Sequence, residues 1–142
     1  MSRGEAADSA ASITLLGFDY GPRHIGVAVG QTLLQSATPL TTLRAAGGQP
    51  DWQGITRLIA EWRPQALVVG MPYTLDDDES EIADMAKRFA RQLQGRYHLP
   101  VHMIDERLTT REAAAILGSK EKRDGKLDAL AATLILQTWL TK

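Results

Sequence analysis

The stretch "LGFDYGPRHIGVAVG", residues 16–30, decides the fold. It enters on Leu16 and Phe18, ends its apolar run on the carboxylate of Asp19, turns through Gly21 and Pro22, and returns as Ile25, Val27 and Val29. Two apolar runs, residues 13–19 and 25–31, are joined by "YGPRHI", whose Gly-Pro pair favours a turn, so a β-hairpin is expected. The acid is the anomaly. A carboxylate at the inner end of a strand costs on the order of several kcal/mol unless something compensates it, and a metal ion is one such compensation. Gly21 and Gly26 bracket the turn and admit a close approach, either of another strand or of a phosphate.

Working outward, a third extended stretch is expected from Ser36 to Leu43, with Pro39 directing it to an edge position. The segment "AAGGQPD" then breaks the strand pattern. Ile55, Leu58, Ile59 and Trp62 recur at helical spacing, and "RPQ" closes that helix before "ALVVGMP", an apolar run of the kind found in a strand covered on both faces. Ile82, Met85, Phe89 and Leu93 mark one face of a long helix, with Asp78 and Glu81 placed as a capping box. "VHMID" supplies another strand, and Thr109 with Glu112 opens a short helix ending at Gly118. A packed helix from about Leu127 to Leu140 ends the chain, with Leu127, Leu130, Ala131, Leu134 and Thr138 along one side. The resulting order is three strands, helix, strand, helix, strand, helix, helix. It implies an α/β fold in which an antiparallel meander leads into parallel crossovers, giving a five-stranded mixed sheet flanked by helices.

At 142 residues and 44% hydrophobic composition, the chain suits one core. Residues 1–12, "MSRGEAADSAAS", are small and polar, read as a disordered tail, and lack the apolar centre of a signal peptide. The domain is expected over residues 13–142. The formal net charge of -1 provides no global attraction to nucleic acid, so any such binding must come from local basic patches. The absence of cysteine excludes disulfides, thiolate metal sites and a cysteine nucleophile, and agrees with a reducing cytoplasm. No run reaches the roughly 18 apolar residues that span a bilayer, so no membrane partner is expected. Aromatic residues make up 6% of the chain, too few for base stacking to be the main mode of recognition.

Acids stand at the ends of three apolar elements: Asp19 after the first strand, Asp105 and Glu106 after the last, and Asp128 in the first turn of the final helix. The carboxyl ends of parallel strands open on one crevice, where these groups can meet. Clustered carboxylates repel unless a cation holds them, and hard oxygen ligands suit Mg2+ or Mn2+, one or two ions. Such a site performs phosphoryl chemistry. Simpler readings stand beside this one: Asp19 as a turn acid, and Asp128 as an acid favoured at a helix start. Asp105 and Glu106 alternate across the strand, so only one faces the crevice, and the sequence does not say which. Arg107 either pairs with the outward acid or holds a phosphate. Lys120, Lys122, Arg123 and Lys126 form either a solvated loop or a guide for a phosphate backbone. His24, His98 and His102 show no ligand spacing and read as structural.

Taken in order, "GFDYGPRHIGVAVG", "ALVVGMPYTLDDDESE", "IDERLTTREAAAIL" and "KLDALAATLILQTWL" resemble the YqgF/RuvX family, Holliday junction resolvase-like proteins with an RNase H-like three-layer fold. The likeness spans about Ile13 to Leu140. It implies a cytoplasmic, metal-dependent nuclease that processes the 5′ end of pre-16S rRNA in ribosome biogenesis, with catalytic acids Asp19, Asp105, Glu106 and Asp128. Asp19, Glu106 and Asp128 are then the metal ligands, and Gly21 and Gly26 the glycine turn. The implied partners are precursor rRNA or branched DNA, and monomer and homodimer both stay open. "TLDDDES" departs from the family pattern in a loop, and "VVGMP" carries no carboxylate where related resolvases place one. Two other functions remain alternatives: a Holliday junction DNA endonuclease, and a non-catalytic nucleic-acid-binding module of ribosome assembly. The actin-like ATPases and sugar kinases share the strand and glycine-turn unit but need two such domains around the nucleotide.

Overall fold

The computed structural model describes residues 12–71, 81–105 and 125–142. Strands β1 (Thr14–Asp19), β2 (His24–Gln31), β3 (Ser36–Ala46) and β4 (Gln49–Pro50) precede helix α1 (Trp52–Trp62). Strand β5 (Ala66–Met71), helix α2 (Glu81–Tyr97), strand β6 (Val101–Asp105) and helix α3 (Gly125–Thr141) follow. Residues 1–11 of the expected tail, the capping acid Asp78, the "TLDDDES" loop and the short helix from Thr109 to Gly118 lie outside the described residues.

One sheet organises the chain, in the order β4-β3-β2-β1-β5-β6. The first four strands pair antiparallel, and β5 and β6 run parallel to β1. The sheet therefore has six strands where five were expected. The sixth comes from "AAGGQPD": Gly47 and Gly48 both hold positive φ, 59° and 78°, as a two-residue hairpin turn of the primed kind requires. That turn folds Gln49 and Pro50 back onto Ala46 and Ala45. Pro39 behaves as its chemistry demands. Its missing N–H falls where the β2–β3 register shifts between Val27 and Ala28, a bulge that leaves Leu40 outside the paired register.

Each face of the sheet has its own core. Leu16, Phe18, Ile25, Val27, Leu67 and Val69 point to the α1/α2 side, where they meet Ile55, Ala86, Phe89 and Leu93. Leu15, Ala28, Val68 and Ile104 point the other way, onto Ala131, Ala132, Ile135 and Leu136 of α3. The result is three layers, as period-2 alternation on a doubly covered sheet requires. Helix α1 starts where the Asp51 carboxylate accepts a 3.0 Å bond from the Gly54 N–H. It stops at Arg63, whose left-handed backbone returns its N–H to the Ile59 carbonyl at 2.8 Å, with Pro64 next.

Helix α3 is rotated from the expected face. Its buried side is Asp128, Ala131, Ala132, Ile135, Leu136 and Leu140, while Leu130, Leu134 and Thr138 are half-buried. Glycines on the sheet explain the choice. A Cβ on Gly17 would stand 2.7 Å from Leu136 Cβ, one on Gly30 would stand 2.9 Å from Leu140 Cδ1, and one on Gly70 would collide with Ile135. Bare backbone on β2, β1 and β5 forms a trough, and the helix lays its small residues and Ile135 into it. Gln137 pins the helix from the side: its Oε1 accepts from the Ala37 N–H at 3.0 Å, and its Nε2 donates to the Gln35 carbonyl at 2.6 Å.

Candidate functional site

Asp19 is the last residue of β1. Alternation with Leu15 and Gly17 turns it to the α3 side of the sheet, where it is only 2% exposed. Its partner across the hairpin is Gly26. A Cβ on Gly26 would overlap the backbone carbonyl oxygen of Asp128 and reach within 2.9 Å of the Ala129 nitrogen. The amino end of α3 thus rests directly on β2 beside Asp19, and Asp128 is 7% exposed. Asp19 and Asp128 are the buried charged side chains among the described residues. The glycine that the sequence placed at the turn works inside the strand, as the seat of the helix. Gly21 does lie in the connection, where a Cβ would stand 2.7 Å from the His24 carbonyl oxygen.

His24, read from sequence as structural, faces this site. Its Nδ1 lies 3.9 Å from Asp128 Oδ2, and its side chain is 45% exposed. A signal existed: His24 is two residues before Gly26, hence on the same face of β2. Exposed Arg44 pairs with His24 across β2 and β3, and the carbonyl of exposed Arg23 accepts from the Ala45 N–H at 2.8 Å. His98 caps α2 in the left-handed conformation, and His102 stacks on Trp139 with centroids 5.0 Å apart.

Asp105 ends β6, paired with Met71. Val101 packs on the α1/α2 core and Ile104 on the α3 core, so alternation turns Asp105 to the α1/α2 side, opposite to Asp19. Beside the hairpin, Tyr20 packs on Phe89 with centroids 5.1 Å apart. Burial pushes its phenol above the ordinary value, and the Arg88 charge opposes that shift. Glu106, Arg107, Lys120, Lys122 and Arg123 lie outside the described residues. Lys126 is placed on the first turn of α3.

No three His, Cys, Asp or Glu side chains converge among the described residues. Asp19 and Asp128 are both buried, on elements that meet at the bare backbone of Gly26. That donor set is hard oxygen, which fits Mg2+ or Mn2+.

A mixed sheet that runs from an antiparallel hairpin into parallel strands, with helices on both faces and acids at the strand ends, defines the RNase H-like class. The solved structures bear this out at the level of fold. RuvC of Thermus thermophilus in complex with a Holliday junction substrate has a TM-score of 0.55 and 18% identity, over 90% of this chain and 93% of that one. A second Thermus thermophilus RuvC structure has a TM-score of 0.54 and 17% identity, over 90% and 94%. The chain belongs to the RuvX family: the family model described as "RuvX: Holliday junction resolvase" matches residues 13–142. An Azotobacter vinelandii relative named "Putative pre-16S rRNA nuclease" is 52% identical over 132 residues, 90% of this chain and 93% of its own length. A Pseudomonas putida relative of the same name is 51% identical over 131 residues, 89% and 93%.

Proposed function

We propose that this chain is a metal-dependent nuclease that hydrolyses phosphodiester bonds in processing the 5′ end of pre-16S rRNA, in the cytoplasm. The observation that carries the reading is the burial of Asp19 and Asp128 on either side of Gly26, at the carboxyl end of the sheet. Two carboxylates desolvated together repel each other, and a divalent cation removes the repulsion. Asp19 and Asp128 would hold that cation. Of the pair after β6, Glu106 is the proposed third ligand, because Asp105 falls on the opposite side of the sheet. When bound, the cation supplies Lewis acidity toward a phosphate oxygen and lowers the pKa of an attacking water.

The protein's own share is placement. Gly26 brings α3 close enough to set the Asp128 carboxylate beside the strand end, and burial keeps both acids in a low-dielectric setting. Arg23 and Arg44, exposed on the hairpin strands near His24, supply positive charge that suits a phosphate backbone. Arg107, Lys120, Lys122, Arg123 and Lys126 are proposed to extend that contact. The names of the relatives support the ribosomal substrate, and the description of the family model supports a second substrate, the four-way DNA junction.

Incubating the purified protein with single-stranded RNA, a 5′-extended 16S precursor fragment and a four-way DNA junction, each with Mg2+ or Mn2+, tests the reading. Cleavage of the precursor fragment, abolished by chelator, is expected. Junction cleavage alone moves the substrate to DNA. Binding without cleavage of any of the three makes the chain an assembly module and contradicts the proposal.

A further inference from the structure

On the α1/α2 side of the sheet, away from the acids, a groove of about 500 Å3 is lined by Trp52, Gln53, Thr56, Arg57 and Arg96. Trp52 forms its wall. The indole stacks on Phe89 with centroids 5.7 Å apart and 29° between planes, and the Arg96 guanidinium lies 4.1 Å over the ring. The indole Nε1 is buried and has no acceptor among the described residues, so packing on its faces holds the ring. Thr56 Oγ1 and the Tyr97 hydroxyl, 2.8 Å apart, tie α1 to α2 beside it.

Arg57 and Arg96 are exposed, and neither has a carboxylate partner among the described residues. Along α2 the charge is one-sided, while on α1 Glu61 lies one turn beyond Arg57. After Asp84, helix α2 carries Lys87, Arg88, Arg91 and Arg96 and no acid. A groove with two guanidiniums that make no ion pair among the described residues, one of them over the Trp52 ring, and a basic helix alongside is complementary to a polyanion that also bears planar rings. Exposed guanidinium planes stack bases, and guanidinium forks bind phosphate.

We infer that the Trp52–Arg57–Arg96 groove is a second RNA-binding site, which takes a single-stranded segment of the substrate remote from the cleaved bond. The inference deepens the nuclease reading and rests on it for the identity of the polymer. The groove belongs to the α1/α2 layer and the acids to the α3 side, so the segment held here is distinct from the scissile phosphate. It would favour long precursor strands over short ones.

Fluorescence anisotropy with a labelled single-stranded RNA of about 20 nucleotides, long enough to exceed one local site, tests it in excess chelator, where turnover does not intervene. The Arg57→Gln/Arg96→Gln protein is expected to bind about tenfold or more weakly. Its log-affinity slope against log salt should fall by about 1.4, two phosphate contacts at about 0.7 each. Arg57→Lys/Arg96→Lys should restore that slope. In a Trp62→Phe/Trp139→Phe background, RNA should quench the remaining Trp52 emission. An unchanged affinity and slope in the Gln protein, or unquenched Trp52 emission, overturns the inference. So does binding of an acidic peptide in the groove with RNA affinity unaffected. The two readings fail separately. Wild-type protein with the predicted slopes and no cleavage defeats the nuclease and keeps the groove, whereas normal cleavage with an unchanged slope in the Gln protein defeats the groove and keeps the nuclease.

Discussion

Gly26 of β2 lies flush against the backbone carbonyl of Asp128 in α3, so close that a single added methyl would overlap the oxygen. This contact joins the fold to the chemistry, because the residue across the hairpin from Gly26 is Asp19. Gly26→Ala must therefore push the amino end of α3 off the sheet. Overpacking of this kind costs about 1–3 kcal/mol. The melting temperature should fall and cleavage should fall further than stability does, since the two acids separate. A thermal melt and a cleavage assay on the same preparation check both.

Asp128→Asn separates a ligand from an acid merely favoured by the helix dipole. Asp128 is the fourth residue of α3, so loss of its charge in the first turn should cost no more than about 1 kcal/mol. Turnover should drop by about two orders of magnitude or more, because a hard cation loses one of its two buried carboxylates. RNA affinity measured without turnover should be nearly unchanged. Cleavage at the wild-type rate would return Asp128 to a structural role.

The buried phenol of Tyr20 gives a pH dependence of known sign. Its folded-state pKa lies above the unfolded value of about 10, so the folded protein holds the proton more tightly. That contribution to stability is complete below the unfolded pKa and is lost as pH rises through the folded one. Melting temperature should therefore fall more steeply above about pH 10 in wild type than in Tyr20→Phe. Parallel alkaline profiles for the two proteins would contradict this account of Tyr20.

His24 is expected to matter at the site. His24→Ala removes the exposed imidazole 3.9 Å from Asp128. Affinity for RNA should weaken severalfold with little change in melting temperature, as is usual for an exposed side chain. Titration of RNA at fixed salt measures it.

Much of this was legible in the sequence, for physical reasons. An acid that interrupts an apolar run stands out because burial of charge is costly, and so Asp19 was visible; Asp128 was visible because it opens an apolar helix. The buried face of α3 was not. Apolar residues occur on every side of that helix, and its orientation is set by the glycines of three strands, which select Ala131 and Ala132 over Leu130 and Leu134. The orientation of Asp105 was hidden as well, because alternation needs a phase, and Val101 and Ile104 show theirs only once both cores exist. Strand β4 escaped because two residues carry no periodicity, although Gly47-Gly48 was the hairpin signal. The groove at Trp52 joins residues more than forty positions apart, and no local pattern records it.

The central claim is that Asp19 and Asp128 hold a divalent cation together, and calorimetric titration of Mn2+ into wild type, Asp19→Asn and Asp128→Asn tests it most directly. The account predicts saturable binding by wild type, with a rise in melting temperature that corresponds to about 2.7 kcal/mol at a hundredfold excess over Kd. Each variant should lose both the heat of binding and the thermal shift while staying folded. Equal Mn2+ affinity in all three proteins would contradict the account.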